Sequence, residues 1–183
     1  MREGELTAAR AASEDAAIRR ADVPRDIALA RGLFLEYAKW LTVDLCFQGF
    51  EEELATLPGA YAPPRGRLLL AGVPGEAFAC IALRPLDEGA GCSCGDASAA
   101  PEGGVGEVKR LYVQPSHRGE GWGGRLARTL VAEARAIGYR ELKLDTLDWM
   151  KPARSLYSGL GFRECVPYYR NPLPGVVYMA LVL

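Results

Sequence analysis

The stretch that most constrains this chain is Val113-Gln114-Pro115-Ser116-His117-Arg118-Gly119-Glu120-Gly121-Trp122-Gly123-Gly124. A strand-like segment, Glu107 to Val113, leads into it, and a strongly amphipathic segment leads out from about Gly121. Four glycines among the six residues from Gly119 to Gly124 let the backbone pass close to a ligand and aim its N–H groups at it. A helix starting at the same place adds a positive dipole end and unpaired donors, which together favour a phosphate. Arg118 sets a fixed charge beside that cradle. The implied unit is strand, loop and helix, with a pyrophosphate-bearing ligand held on the loop.

Two ligand classes fit such a loop. Gly119-Glu120-Gly121-Trp122-Gly123-Gly124 matches the dinucleotide pattern G-x-G-x-x-G, and Asp145 lies about 20 residues on, where that site wants an acid for the ribose. In dinucleotide folds, however, the strand meets the first glycine almost directly. Here Gln114 to Arg118 intervene, and the roughly sixty residues that follow are too few to complete a doubly wound sheet. A dinucleotide-dependent oxidoreductase is therefore the weaker reading.

The second class rests on a resemblance. Arg118-x-x-Gly121-x-Gly123 resembles the R/Q-x-x-G-x-G/A signature of the GNAT superfamily, the acyl-CoA-dependent N-acyltransferases. Glu107-Val108-Lys109-Arg110-Leu111-Tyr112-Val113 resembles the strand before that family's CoA loop. Ala153-Arg154-Ser155-Leu156-Tyr157-Ser158-Gly159-Leu160-Gly161-Phe162 resembles its late helix, with the ending L-Y-x-x-L-G-F. These segments cover about residues 105 to 165, and the order of elements extends the likeness to most of the chain. The resemblance implies an α/β (α+β) fold. Its centre is a twisted sheet of about seven strands, mixed antiparallel and parallel, with helices on both faces.

It also implies an N-acetyltransferase that uses acetyl-CoA as acyl donor, with no metal, and an amine-bearing acceptor that attacks the thioester directly in a ternary complex. By the same resemblance the backbone from Arg118 through Gly119, Glu120, Gly121, Trp122, Gly123 and Gly124 holds the pyrophosphate. Leu111, Tyr112 and Val113, on a strand that splays from its neighbour, meet the pantetheine arm. Tyr157 is the acid near the CoA sulfur, and Glu107 is the expected general base, read against a surface charge paired with Lys109 or Arg110. Asp145 is an outside choice for that base. Trp122 reads as a core residue of the helix stripe, and His117 as a solvent-exposed loop residue. A side chain at Gly121 or Gly123 is expected to block the cofactor's approach. A non-catalytic acyl-CoA-binding sensor on the same fold is the alternative function.

Composition narrows the classes further. A chain of 183 residues fits one domain with an adequate core. With 49% apolar residues it is not a disordered chain, and a net charge of −1 gives no case for general nucleic-acid binding. No apolar run reaches bilayer length, so no membrane partner is expected. Residues 1–15 lack a signal-peptide core and read as a flexible tail before a single domain at 16–183, which makes a cytoplasmic location the default. Five irregularly spaced cysteines suit free thiols, and Cys92 with Cys94 makes only half a zinc site. A homodimer is an assembly the resemblance allows.

Along the chain, Ala17 to Ala21 reads as a short strand, Asp22 or Pro24 to Leu41 as a helix, and Phe50 to Leu57 as a second helix. Arg67 to Val73 and Glu76 to Leu83 read as strands about the Pro74-Gly75 turn. Residues 89–104, almost all Gly, Ala, Ser and acid, read as a flexible loop. The helix after the glycine loop carries Trp122, Leu126, Leu130, Ala134 and Ile137 on one stripe and ends at Gly138. Glu141 to Thr146 alternates as a strand, Asp148 is placed to cap the helix that follows, and Val176 to Leu183 is an internal strand. The acceptor site is expected between Trp40 to Phe50, with Asp44 and Glu51 to Glu53, and Pro167 to Gly175, with Tyr168, Tyr169, Arg170 and Asn171.

Overall fold

The computed structural model describes residues 16–41, 43, 49–86 and 104–183. The expected tail, most of the expected loop at 89–104, Asp44, Cys46, Cys92 and Cys94 lie outside the described residues. In chain order the elements are β1 (Ala17–Arg20), α1 (Pro24–Leu41), α2 (Phe50–Thr56), β2 (Arg67–Gly72), β3 (Ala79–Leu86), β4 (Val105–Val113), α3 (Trp122–Ile137), β5 (Glu141–Leu147), α4 (Lys151–Gly159), β6 (Arg163–Glu164) and β7 (Val176–Val182).

The strands form one sheet of seven in the order β1-β2-β3-β4-β5-β7-β6. Only β4 and β5 run parallel, because α3 carries the chain back across the sheet between them. Helices cover both faces, which explains why Leu68-Leu69-Leu70-Ala71 is apolar without alternation. Leu69, Ala71, Ile81, Leu83, Val108, Leu142 and Leu144 pack beneath α3 and α4. Leu68, Leu70, Cys80, Ala82, Tyr112 and Leu147 pack beneath α1 and α2. Each such leucine contributes about 1.5–3 kcal/mol of apolar burial.

Local chemistry sets the ends of the elements. Pro24 opens α1, where its missing N–H costs nothing. Gly138 closes α3 with φ 95°, and its N–H bonds the carbonyls of Ala134 and Arg135. Two sequence readings are corrected. β3 starts at Ala79 rather than Glu76, because the Glu76 N–H closes a turn on Val73 and the Phe78 N–H is the first to return to Ala71. Asp148 does not cap α4. The cap is Met150, without a side-chain bond, while the Asp148 carboxylate, two residues earlier, lies against Gly175.

Candidate active site

The site begins where β4 and β5 part. They pair at Val105↔Glu141, Gly106↔Leu142 and Glu107↔Lys143, and then pairing stops, although β4 runs on to Val113 and β5 to Leu147. A bulge in β4 accompanies the parting. Its register against β3 shifts between Cys80↔Tyr112 and Ala82↔Lys109, and Arg110 adopts φ 58°. A non-glycine residue in that region carries strain of about 1–3 kcal/mol, which the surroundings must over-determine. Here the buried Arg110 guanidinium is held by the Glu53 carboxylate at 2.6 and 2.9 Å, over the Phe50 ring. Burial works against both charges, but their pairing wins: Glu53 is held below the usual carboxylate range, and Arg110 is held even more firmly protonated.

The gap between the strands is a cleft reached from both faces of the sheet. Val108, Lys109, Arg110 and Leu111 form one wall, and Asp145, Thr146 and Leu147 the other. Tyr37 and Leu41 of α1, with Asn171 and Leu173, close it on one face. Ala153 and Tyr157 of α4 close it on the other. Burial, and then the proximity of Tyr37 and Asp145, push the Tyr157 phenol up from its ordinary value, so it stays a proton donor at neutral pH. Tyr37 is pushed up to about 12, chiefly by burial. At the rim, the half-exposed rings of Trp40 and Trp149 lie 6.1 Å apart.

The glycine loop sits at the end of β4. Residues Pro115 to His117 make a turn of 3-10 helix, and Gly119 and Gly121 follow with φ 85° and 80°. At either glycine a Cβ would meet nothing within 4 Å, so glycine is needed there for backbone conformation and not for packing. Gly123 differs. Its Cβ would lie 3.2 Å from Leu156, so its small size serves the packing of α3 on α4. From Trp122 onward the first turn of α3 presents its N–H groups outward.

Arg118 donates from Nε to the Val113 carbonyl at 3.0 Å and lies 4.6 Å from the Trp40 ring centroid. Arg125, off the apolar stripe of α3, stacks 3.8 Å over the Trp122 ring and adds a second guanidinium at this helix start. Trp122 is buried and donates to Glu120 at 3.1 Å. His117 is not a solvent-exposed residue. It is 8% exposed, because its ring stacks on Phe78 at 3.9 Å between centroids. Leu111 and Val113 are half-buried against the α3 side, and Tyr112 is buried on the α1 side.

Glu107 is not a surface charge. It is 1% exposed and accepts hydrogen bonds from Arg84 Nε at 2.7 Å and the Tyr168 hydroxyl at 3.0 Å. Lys109 Nζ stands 3.4 Å from Glu107 and 3.1 Å from Asp145, so one ammonium links the two carboxylates. Asn171 completes the chain by donating to Asp145 at 3.2 Å. Glu107 is absent from the cleft lining, whereas Lys109, Asp145 and Asn171 all reach it. The Lys109–Asp145 pair and Tyr37 carry no sequence signature. Asn171 falls in the stretch marked for the acceptor. Among the described residues no three His, Cys, Asp or Glu side chains gather as a metal site, and no helix is long and apolar enough to cross a membrane.

The model of the Acetyltransferase (GNAT) family matches residues 34–162. The chain belongs to this family and is an acyltransferase of the N-acetyltransferase type. An uncharacterized N-acetyltransferase of Schizosaccharomyces pombe is 38% identical over 160 residues, covering 87% of this chain and 90% of its own. Another from Dictyostelium discoideum is 28% identical over 186 residues, covering 76% and 86%.

Among solved structures, an acetyltransferase from Streptococcus agalactiae aligns with TM-score 0.69 at 18% identity, over 93% of this chain and 99% of its own. A Salmonella typhimurium acetyltransferase, solved with its cofactor acetyl-CoA, aligns with TM-score 0.60 at 18% identity, over 92% and 94%. At that identity these two structures speak to the fold alone.

Proposed function

We propose that this protein transfers the acetyl group of acetyl-CoA to a primary amine, by direct attack within a ternary complex. The observation that carries the reading is the parting of β4 from β5 beyond Glu107 and Lys143, which opens a cleft with the Tyr157 phenol on one side and the glycine loop at its end. The residues suit the co-substrate. The first-turn N–H groups of α3, with Arg118 and Arg125, supply donors and charge for a pyrophosphate. The edge of β4 that β5 leaves beyond Glu107 offers backbone groups to an extended pantetheine arm and to the thioester oxygen. The bound co-substrate supplies an activated acyl group.

Tyr157, held neutral, gives its proton to the departing thiolate. Two carboxylates on the α1 side, Glu107 and Asp145, compete for the role of proton acceptor. The acceptor enters on that side, between α1 and the loop that carries Asn171 and Leu173. The test is release of free CoA thiol from acetyl-CoA on addition of a panel of small amines, amino acids and amine-bearing peptides. Amine-dependent release with matching N-acetyl product supports the reading. CoA binding without release by any amine would favour the non-catalytic sensor instead.

A further inference from the structure

We propose that Asp145, rather than Glu107, is the catalytic carboxylate that takes the proton from the incoming amine, with Lys109 as its positioning partner; this rests on the transferase reading above. Among the described residues Asp145 is the only acid lining the cleft. Its side chain keeps 13% exposure, against 1% for Glu107. Glu107 is bonded to Arg84 and Tyr168, neither of which lines the cleft, whereas Lys109 and Asn171, which bond Asp145, both do.

The charges around Asp145 are balanced, so proton removal calls for a base rather than a repelling wall. Facing it are Lys109 and Arg110 from β4, Tyr37 from α1, Tyr157 from α4, Tyr178 from β7, and Tyr169 from the loop before β7, with Glu107 beside Lys109 and Glu53 paired to Arg110. An entering ammonium must lose a proton before it can attack, and bulk water at neutral pH supplies the neutral amine at only about one part in 2,500 for a group with the reference pKa of a lysine amine. Lys109 donates to one oxygen of Asp145 at 3.1 Å, and Asn171 to the other at 3.2 Å, so the carboxylate is held in place in the cleft wall.

The steps balance. One ammonium proton passes to Asp145 and on to water. The freed nitrogen pair forms the N–C bond as the carbonyl π pair moves to oxygen. When that pair returns, the C–S bond breaks and its electrons leave on sulfur. Tyr157 protonates the sulfur and is recharged by a second nitrogen proton, while the third hydrogen stays in the amide. Asp145 lies on the α1 side and Tyr157 on the α4 side, so acid and base meet the acyl carbon from different walls.

The test compares two nucleophiles small enough for any acceptor path, at neutral pH. Methylamine is protonated there and needs the base, whereas hydroxylamine is already neutral. Asp145→Asn is expected to lower kcat/KM for methylamine by about a hundredfold and to change hydroxylamine transfer little. The methylamine deficit should shrink as pH rises and free amine increases about tenfold per unit. CoA should raise the melting temperature of the variant as it does that of the native chain. Asp145→Glu should recover part of the loss. If removal of one charge prevents folding, Lys109→Met with Asp145→Asn removes both and should show the same selectivity.

Equal loss with both nucleophiles, no loss with methylamine, or selective methylamine loss in Glu107→Gln would each overturn the assignment. A native chain that protects with CoA yet acetylates neither nucleophile would instead contradict the transferase reading itself.

Discussion

The Tyr168 hydroxyl donates a 3.0 Å hydrogen bond to Oε1 of Glu107, and so ties the loop before β7 to the strand from which the cleft opens. The other oxygen of Glu107 is held by Arg84 at 2.6 Å, and Lys109 stands 3.4 Å away. Truncating one member of a buried ion pair leaves the other charge uncompensated, at about 3–5 kcal/mol. Lys109 would retain Asp145, so Glu107→Gln is expected to lose about 3 kcal/mol, the low end of that range. The check is a lower urea midpoint at unchanged m. A loss below about 1 kcal/mol would mean the cluster is no more than a surface pair.

Tyr157→Phe should lower kcat by about a hundredfold or more while CoA binding stays as it was. The ring remains edge-on to Phe162, at 5.4 Å between centroids, so the fold should not suffer. Single-turnover rates and CoA titration separate the two effects. An unchanged kcat would remove Tyr157 as the acid.

At Gly121 the backbone sits at φ 80° with open space where a Cβ would point. Gly121→Ala should therefore cost about 1–2 kcal/mol from conformation alone. It should also weaken CoA binding, because the added methyl enters the space given to the pyrophosphate. Full CoA affinity in a folded Gly121→Ala protein would show that the cradle lies elsewhere.

Glu53 is held below the usual carboxylate range: burial opposes this, but the hydrogen bonds and charge of Arg110 outweigh it. A depressed folded value means stability that is present above the unfolded carboxylate value and is lost as pH falls through the folded one. The stability gap between the native chain and Glu53→Gln should thus be full at neutral pH and close on acidification. Denaturation series across that range measure it. A gap independent of pH would deny the pair its role in fixing the Arg110 bulge.

The sequence carried the strand, glycine loop and helix almost to the residue, because each depends on local chemistry: the apolar stripe from Trp122 to Ala134, and glycines where φ is positive. Gly138 was legible as a cap for the same reason. What stayed hidden is tertiary. His117 reads as exposed until Phe78 arrives from a residue far up the chain to cover it. Lys109 and Asp145 are 36 positions apart and meet only because β4 and β5 lie side by side. Asp148 looks like a cap by its place in the sequence, but it stands two residues before the cap Met150 and its carboxylate lies against Gly175.

The most direct measurement is thermal denaturation with acetyl-CoA, CoA and NADH added separately. A ligand bound only by the folded chain stabilises it by about 2.7 kcal/mol at a hundredfold excess over Kd. Upward shifts with acetyl-CoA and with CoA, and none with NADH, are the expected result. A shift with NADH alone, or none with either CoA species up to concentrations where weak binding would register, would contradict the assignment of the cleft and the glycine loop to acetyl-CoA.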